Sequence, residues 1–194
     1  MNRDATESAN TRELVAKIDD LKAQVASLEQ KVTILDALAH QDTLVAMPNR
    51  RGFLRALERL IAHGARYGEE AAMLFVDLDG LKSINDSFGH RAGDEALIRV
   101  SSLLAEGIRR SDLVARIGGD EFGILLENAN EERARETAVR LSDTICNCEF
   151  RHERDELPLS VSVGVAMIGK DDSVETIMAR ADAEMYRGKA ADAG

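Results

Sequence analysis

Two short apolar runs, residues 113–117 and 122–126, are separated by only Gly118, Gly119, Asp120 and Glu121. A connection this short leaves little choice. The runs fold back on each other as a β-hairpin with glycine at its tip. Gly118 and Gly119 permit the positive φ of a tight turn and leave room for a ligand to approach the backbone. The acids at the tip are thereby carried to the end of a strand.

A second acidic strand end lies upstream. The run Ala-Ala-Met-Leu-Phe-Val suits a buried strand and stops abruptly at Asp77-Leu78-Asp79-Gly80. On a strand, Asp77 and Asp79 share one face. If this strand neighbours the hairpin, their carboxylates converge with those of Asp120 and Glu121. Like charges so close repel and raise one another's pKa. A hard divalent cation removes the conflict, and magnesium is usually held by a few carboxylates together with substrate phosphates. Each piece alone has an ordinary explanation, a common hairpin tip and a common solvated strand end. The combination is what points to a site.

The remaining pattern supplies the frame. Phe53, Leu54, Leu57, Leu60 and Ile61 form a helical face that closes near Gly64 and Gly68. Residues 81–88 read as a short helix or turn. Ala96, Leu97, Val100, Leu103, Leu104 and Ile108 define a longer helix, and residues 131–145 and 173–189 two more. Leu157, Leu159, Val161, Val163 and Val165 alternate as a strand does. Strands spaced by helices, with one hairpin, predict an α/β (α+β) sandwich whose mixed central sheet is flanked by helices.

The N-terminal residues follow another rule. Leu14, Ile18, Leu21, Val25, Leu28, Val32 and Leu35 alternate steps of four and three. This heptad, β-branched at a and leucine at d, favours a parallel two-stranded coiled coil. A single helix packed on its own domain would show a broader apolar stripe. Charge support is mixed, since Lys31 would face Asp36 of the partner helix but Lys17 would face Lys22. The pattern fades at Ala39 and Asp42, and Pro48-Asn49 marks a turn.

A formal net charge of -10 excludes a general nucleic-acid binder, which needs a basic footprint, although cations can bridge carboxylates to a small nucleotide. Residues 1–10 contain no leader-type apolar stretch, and no run is long enough to span a bilayer. A cytoplasmic protein without an integral membrane segment is expected. Cys146 and Cys148 lack the partners of a zinc site and the spacing of a redox motif, so reduced thiols are expected.

Downstream of the first acidic pair, Asn85 and Asp94 have the groups needed to read guanine: an amide donates to O6 or N7, and a carboxylate accepts from N1–H and the exocyclic amine. Taken alone, Asn85 reads first as a turn residue, and Asp94 is open to a role as the N-cap of the next helix. Lys82 suits phosphate as a point charge.

The stretch Ile-Gly-Gly-Asp-Glu-Phe, together with Val-Asp-Leu-Asp-Gly-Leu-Lys-Ser-Ile-Asn-Asp-Ser-Phe-Gly-His-Arg-Ala-Gly-Asp, resembles the GGDEF-domain diguanylate cyclases. The likeness runs from about Asp42 to Lys189. It implies a palm-like fold, related to nucleotide cyclases and polymerases, over residues 41–194, while the heptad makes residues 1–40 the coiled-coil dimerisation helix. It further implies one GTP per domain, with two domains facing each other to make cyclic di-GMP with magnesium or manganese. Carried over, Asp77, the Leu78 carbonyl and Asp120 would bind metal. Asp120 would also accept the proton, with Glu121 in support. Asn85 and Asp94 would contact guanine, His90 would complete the substrate site, and Lys82 and Lys189 would reach phosphates.

Arg109-Arg-Ser-Asp112 resembles the family's R-x-x-D product-inhibition site, with Arg140 as a further arginine. Arginines near a helix C-terminus also complement its dipole. Two departures stand out. Val45 and Ala46 replace the usual Thr-Gly of the opening motif, and Ala193 stands where an arginine is usual. The alternative to a cyclase is a non-catalytic module that binds GTP or cyclic di-GMP. A bare dimerisation scaffold leaves the acidic and glycine-rich motifs unexplained, and an adenylyl cyclase or polymerase fits Asn85 and Asp94 less well.

Overall fold

The structure is a computed structural model describing residues 17, 18, 20–31, 36 and 39–192. It divides into two units, residues 1–39 and 40–194. In the first, residues 20–31 are helical. Ile18, Leu21, Val25 and Leu28 are exposed by 49–59% there, so this face of the heptad is uncovered. Leu14, Val32 and Leu35 of the same heptad lie outside the described residues, as does Ala193.

The second unit opens with α1 (Arg50–Tyr67). The Asn49 side chain caps it by accepting from the N–H groups of Arg51 and Gly52. Gly68 closes it with φ 76°, its N–H donating to the Gly64 carbonyl. Then follow β1 (Ala71–Leu78), α2 (Leu81–Phe88), α3 (His90–Glu106), β2 (Leu113–Arg116) and β3 (Glu121–Glu127). After α4 (Glu131–Cys146) come a small hairpin of β4 (Arg151–His152) and β5 (Asp155–Glu156), then β6 (Val161–Ile168) and α5 (Val174–Asp192).

The main sheet has the order β2-β3-β1-β6. The expected mixed sheet is realised as antiparallel ladders, with a parallel bridge between Asn49 and Arg116 at its edge. The reason is topological. A helical crossover joins parallel strands, β1 to β2 and β3 to β6. Each crossover skips one position, so every neighbour belongs to the other crossover pair and runs the opposite way. This interleaving sets β3 directly beside β1.

The β1 run shows no alternation because both of its faces are buried. Ala72, Leu74, Val76 and Leu78 pack with Leu97, Val100 and Leu104 of α3 and with Leu141 and Ile145 of α4. Met73 and Phe75 pack with Phe53 and Leu57 of α1 and with Ile177, Ala181 and Met185 of α5. Gly123, mid-strand in β3, lets the Phe53 ring reach the sheet, since a Cβ there would sit 2.6 Å from it. No helix among the described residues is long and apolar enough to cross a membrane.

Candidate active site

The interleaved order brings the two acidic strand ends together. Asp77 pairs with Glu121 on one side and with Ser162 on the other. The Leu78 N–H donates to the Asp120 carbonyl at 2.9 Å, holding the hairpin tip against the end of β1. Asp79 lies just beyond the strand and accepts from the hydroxyls of Ser160 (3.0 Å) and Ser162 (2.9 Å). Lys189, near the end of α5, donates to Asp77 and lies 3.2 Å from Asp79.

Burial raises the Asp77 carboxyl above the ordinary value. Lys189 pulls it back, while Asp120 and Asp79 push it further up. Glu121 is raised by burial and then by Asp120 and Asp77, against a lowering from Arg50. Burial would lower Lys189, but Asp77 and Asp79 outweigh it and hold the ammonium above its usual range. The acids therefore carry an electrostatic conflict that this single lysine only partly relieves.

The glycines at the tip act by space rather than by dihedral. Neither Gly118 nor Gly119 is left-handed, contrary to the expectation of positive φ. A Cβ on Gly118 would strike the Glu121 carboxylate at 2.0 Å, whereas nothing lies within 4 Å of a Cβ on Gly119. The backbone at Gly119 is open to a ligand.

The Asn85 side chain lies against Gly93, the residue before Asp94, where α2 packs on α3. Asn85 is inside α2 rather than in a turn, and Gly93 gives it room, since a Cβ there would be 2.0 Å from Asn85 Oδ1. Asp94 is not an N-cap, because α3 begins at His90 with Gly89 in the capping position. Lys82, one turn before Asn85 in α2, and His90, the first residue of α3, are both exposed.

A family model described as "Diguanylate cyclase, GGDEF domain" matches residues 39–194. The chain belongs to this family. It is 31% identical over 192 residues, 95% of the chain, to the diguanylate cyclase DgcP of Pseudomonas aeruginosa. It is 34% identical over 90% of the chain to the diguanylate cyclase TpbB of the same species. It spans only 29% and 40% of these relatives' lengths. Among solved structures, the coiled coil and GGDEF domain of DgcB from Caulobacter crescentus, in complex with c-di-GMP, gives a TM-score of 0.83 at 25% identity. That match covers 92% of this chain and 95% of the other.

The GGDEF hairpin is wired to the start of the domain. Arg116 donates to the Gly119 carbonyl through Nη2 (2.7 Å) and Nε (3.2 Å), and to Asp42 at 3.3 Å. Arg50 donates to the Ile117 carbonyl at 3.3 Å. Asp42 also accepts from the N–H groups of Leu44 and Val45, folding residues 40–49 into a compact turn. Ala46 fits this turn without strain, because its φ is not left-handed. Arg116 has no motif-independent sequence signal that exposes this role.

Replacing Arg116 with alanine should cost about 1–3 kcal/mol, the value of charged hydrogen bonds lost from a partly buried network. Chemical denaturation reads that loss, and an unchanged midpoint would count against the coupling. Burial alone would raise the Asp42 carboxyl, but the Val45 and Leu44 N–H groups and Arg116 bring it below 3.8. A lowered carboxyl contributes stability above its unfolded pKa and loses it as pH falls through the folded value. Denaturation across the acid range below 3.8 should therefore show a shallower loss for Asp42→Asn than for wild type.

Arg109 and Asp112 sit at the far end of the β2–β3 hairpin from Asp120. Asp112 accepts from the Arg109 N–H (3.0 Å) and the Glu127 N–H (3.3 Å). The two residues line a cavity of about 300 Å³ with Arg133, Glu136 and Arg140 of α4. Arg133 belongs to no motif. Its spacing of seven from Arg140, two turns on one helical face, is the signal that finds it.

Proposed function

We propose that this chain condenses two GTP molecules into cyclic di-GMP, releasing two pyrophosphates. The observation that carries the reading is the backbone bond from Leu78 to Asp120, which sets the acids of the hairpin against Asp77 beside the open backbone of Gly119. The chain's family and the named activities of its relatives support it.

The donor set fits a hard divalent cation. Asp77, the Leu78 carbonyl and Asp120 offer oxygen only, and the conflict at Asp77 and Glu121 is one that positive charge relieves. Such a set suits magnesium or manganese, which take few carboxylates and complete their shell from phosphates and water. When bound, the cation offsets charge on the α-phosphoryl group and acidifies the attacking hydroxyl.

The protein's own groups orient the reaction. Asn85 and Asp94 hold guanine, with His90 beside them, while Lys82 and Lys189 reach the phosphates. The 3′-oxygen of one nucleotide bonds to the α-phosphorus of the other, and the α–β anhydride breaks. Pyrophosphate leaves with the electron pair, and Asp120 takes the hydroxyl proton with Glu121 positioning the tip. The same exchange in the other direction closes the ring.

Each domain supplies half a site, so two must face each other. A parallel coiled coil of the N-terminal helices, residues 1–40, supplies the partner by raising its effective concentration beside the domain of residues 41–194. Cyclic di-GMP binds the cavity at Arg109 and Asp112, where arginine clasps phosphate and stacks on guanine, and restrains the enzyme. Incubation with GTP and magnesium, followed by nucleotide chromatography, should yield cyclic di-GMP, and ATP should not substitute. Removal of residues 1–38 should lower turnover steeply at low protein concentration and less at high. Nucleotide binding without turnover would instead mark a non-catalytic module.

A further inference from the structure

Lys189 occupies a position built for it. On α5, Ile177, Ala181 and Met185 recur every four residues and are buried at 0%, 0% and 3% exposure. Lys189 is the next residue of that stripe, a lysine where the helix face meets the sheet. Among the described residues it is the one cation within ion-pair distance of Asp77 and Asp79. Ser160, just before β6, donates to Asp79 Oδ2, and Ser162 of β6 donates to Oδ1, the oxygen that also faces the ammonium, so the carboxylate is held in place beside Lys189.

An ammonium and a dication cannot both have full use of the Asp77 oxygens. A bound triphosphate, however, gives Lys189 a new anion. We propose that Lys189 is a resident counter-ion of the Asp77–Asp79 pair, displaced onto the triphosphate when nucleotide and dication arrive together. Free cation is thereby poorly retained, and the two ligands load with positive coupling carried by one side chain. This rests on the assignment of Asp77 as a metal ligand and of GTP as substrate.

Manganese binding to the full chain, followed by loss of the free-ion EPR signal, tests the idea. Wild type, Lys189→Met and Lys189→Arg are compared, without nucleotide and with an α,β-methylene GTP analogue that cannot react. Without nucleotide, Lys189→Met should bind manganese about tenfold tighter, the scale on which one neighbouring charge shifts an ionic equilibrium. Lys189→Arg keeps the charge and should stay weak. The analogue should tighten manganese binding by a larger factor in wild type than in Lys189→Met. Equal or weaker binding by Lys189→Met without nucleotide overturns the proposal. Tight binding that survives Asp77→Asn in the Met background overturns the underlying metal assignment instead, a distinct failure.

Discussion

Replacing Asp120 with alanine should abolish detectable cyclic di-GMP while leaving the fold intact. Two features separate these effects. The bond that seats the hairpin tip runs from the Leu78 N–H to the Asp120 backbone carbonyl, and alanine retains it. The lost carboxylate is one of the charges that push Asp77 and Glu121 upward, so its removal relieves repulsion rather than breaking a contact. Stability should be unchanged or slightly higher. Turnover should fall by about 10²–10³-fold or more, the lower figures being the range seen when one preorganised group serving the developing charge is removed. Thermal unfolding alongside single-time-point product analysis distinguishes the outcomes. Product at near wild-type rate would remove Asp120 from the chemistry.

Much of this site was legible from local pattern. A short glycine connection forces a hairpin, and a strand that runs apolar into Asp77 marks a strand end, whatever surrounds them. The order β2-β3-β1-β6 was not legible, because pairing between β1 and β3 is decided by how two crossovers interleave. The same limit hid the purpose of several residues. Gly118 reads as a turn glycine, but its reason is the Glu121 side chain folded over it. Asp94 reads as an N-cap until Gly89 is seen to start the helix. Lys189 reads only as a phosphate ligand, and packing reveals that it continues a buried stripe onto Asp77. The β4–β5 hairpin, two residues per strand, is too short to leave a periodic signal.

Packing also sets the largest expected stability effect, at Gly164→Ala. Gly164 lies in β6 opposite Phe75, and α5 crosses directly above it. A Cβ there would lie 2.0 Å from the Ala181 carbonyl oxygen and 2.4 Å from the Met185 nitrogen. Both are backbone atoms of a helix and cannot rotate aside, so α5 must lift from the sheet. Overpacking of this kind costs about 3 kcal/mol or more, beyond the usual range for a single added methyl. The damage should also reach the nucleotide, because Lys189 rides on the displaced helix four residues past Met185. Gly164→Ala should therefore lower the denaturation midpoint and, where it remains folded, raise KM for GTP. Gly119→Ala provides the contrast. Its added methyl meets open space in a backbone that is not left-handed, so stability should stay within about 0.5 kcal/mol of wild type. If the two alanines proved equally tolerated, the close seat of α5 on β6 would be wrong, and with it the placement of Lys189 at the acidic pair.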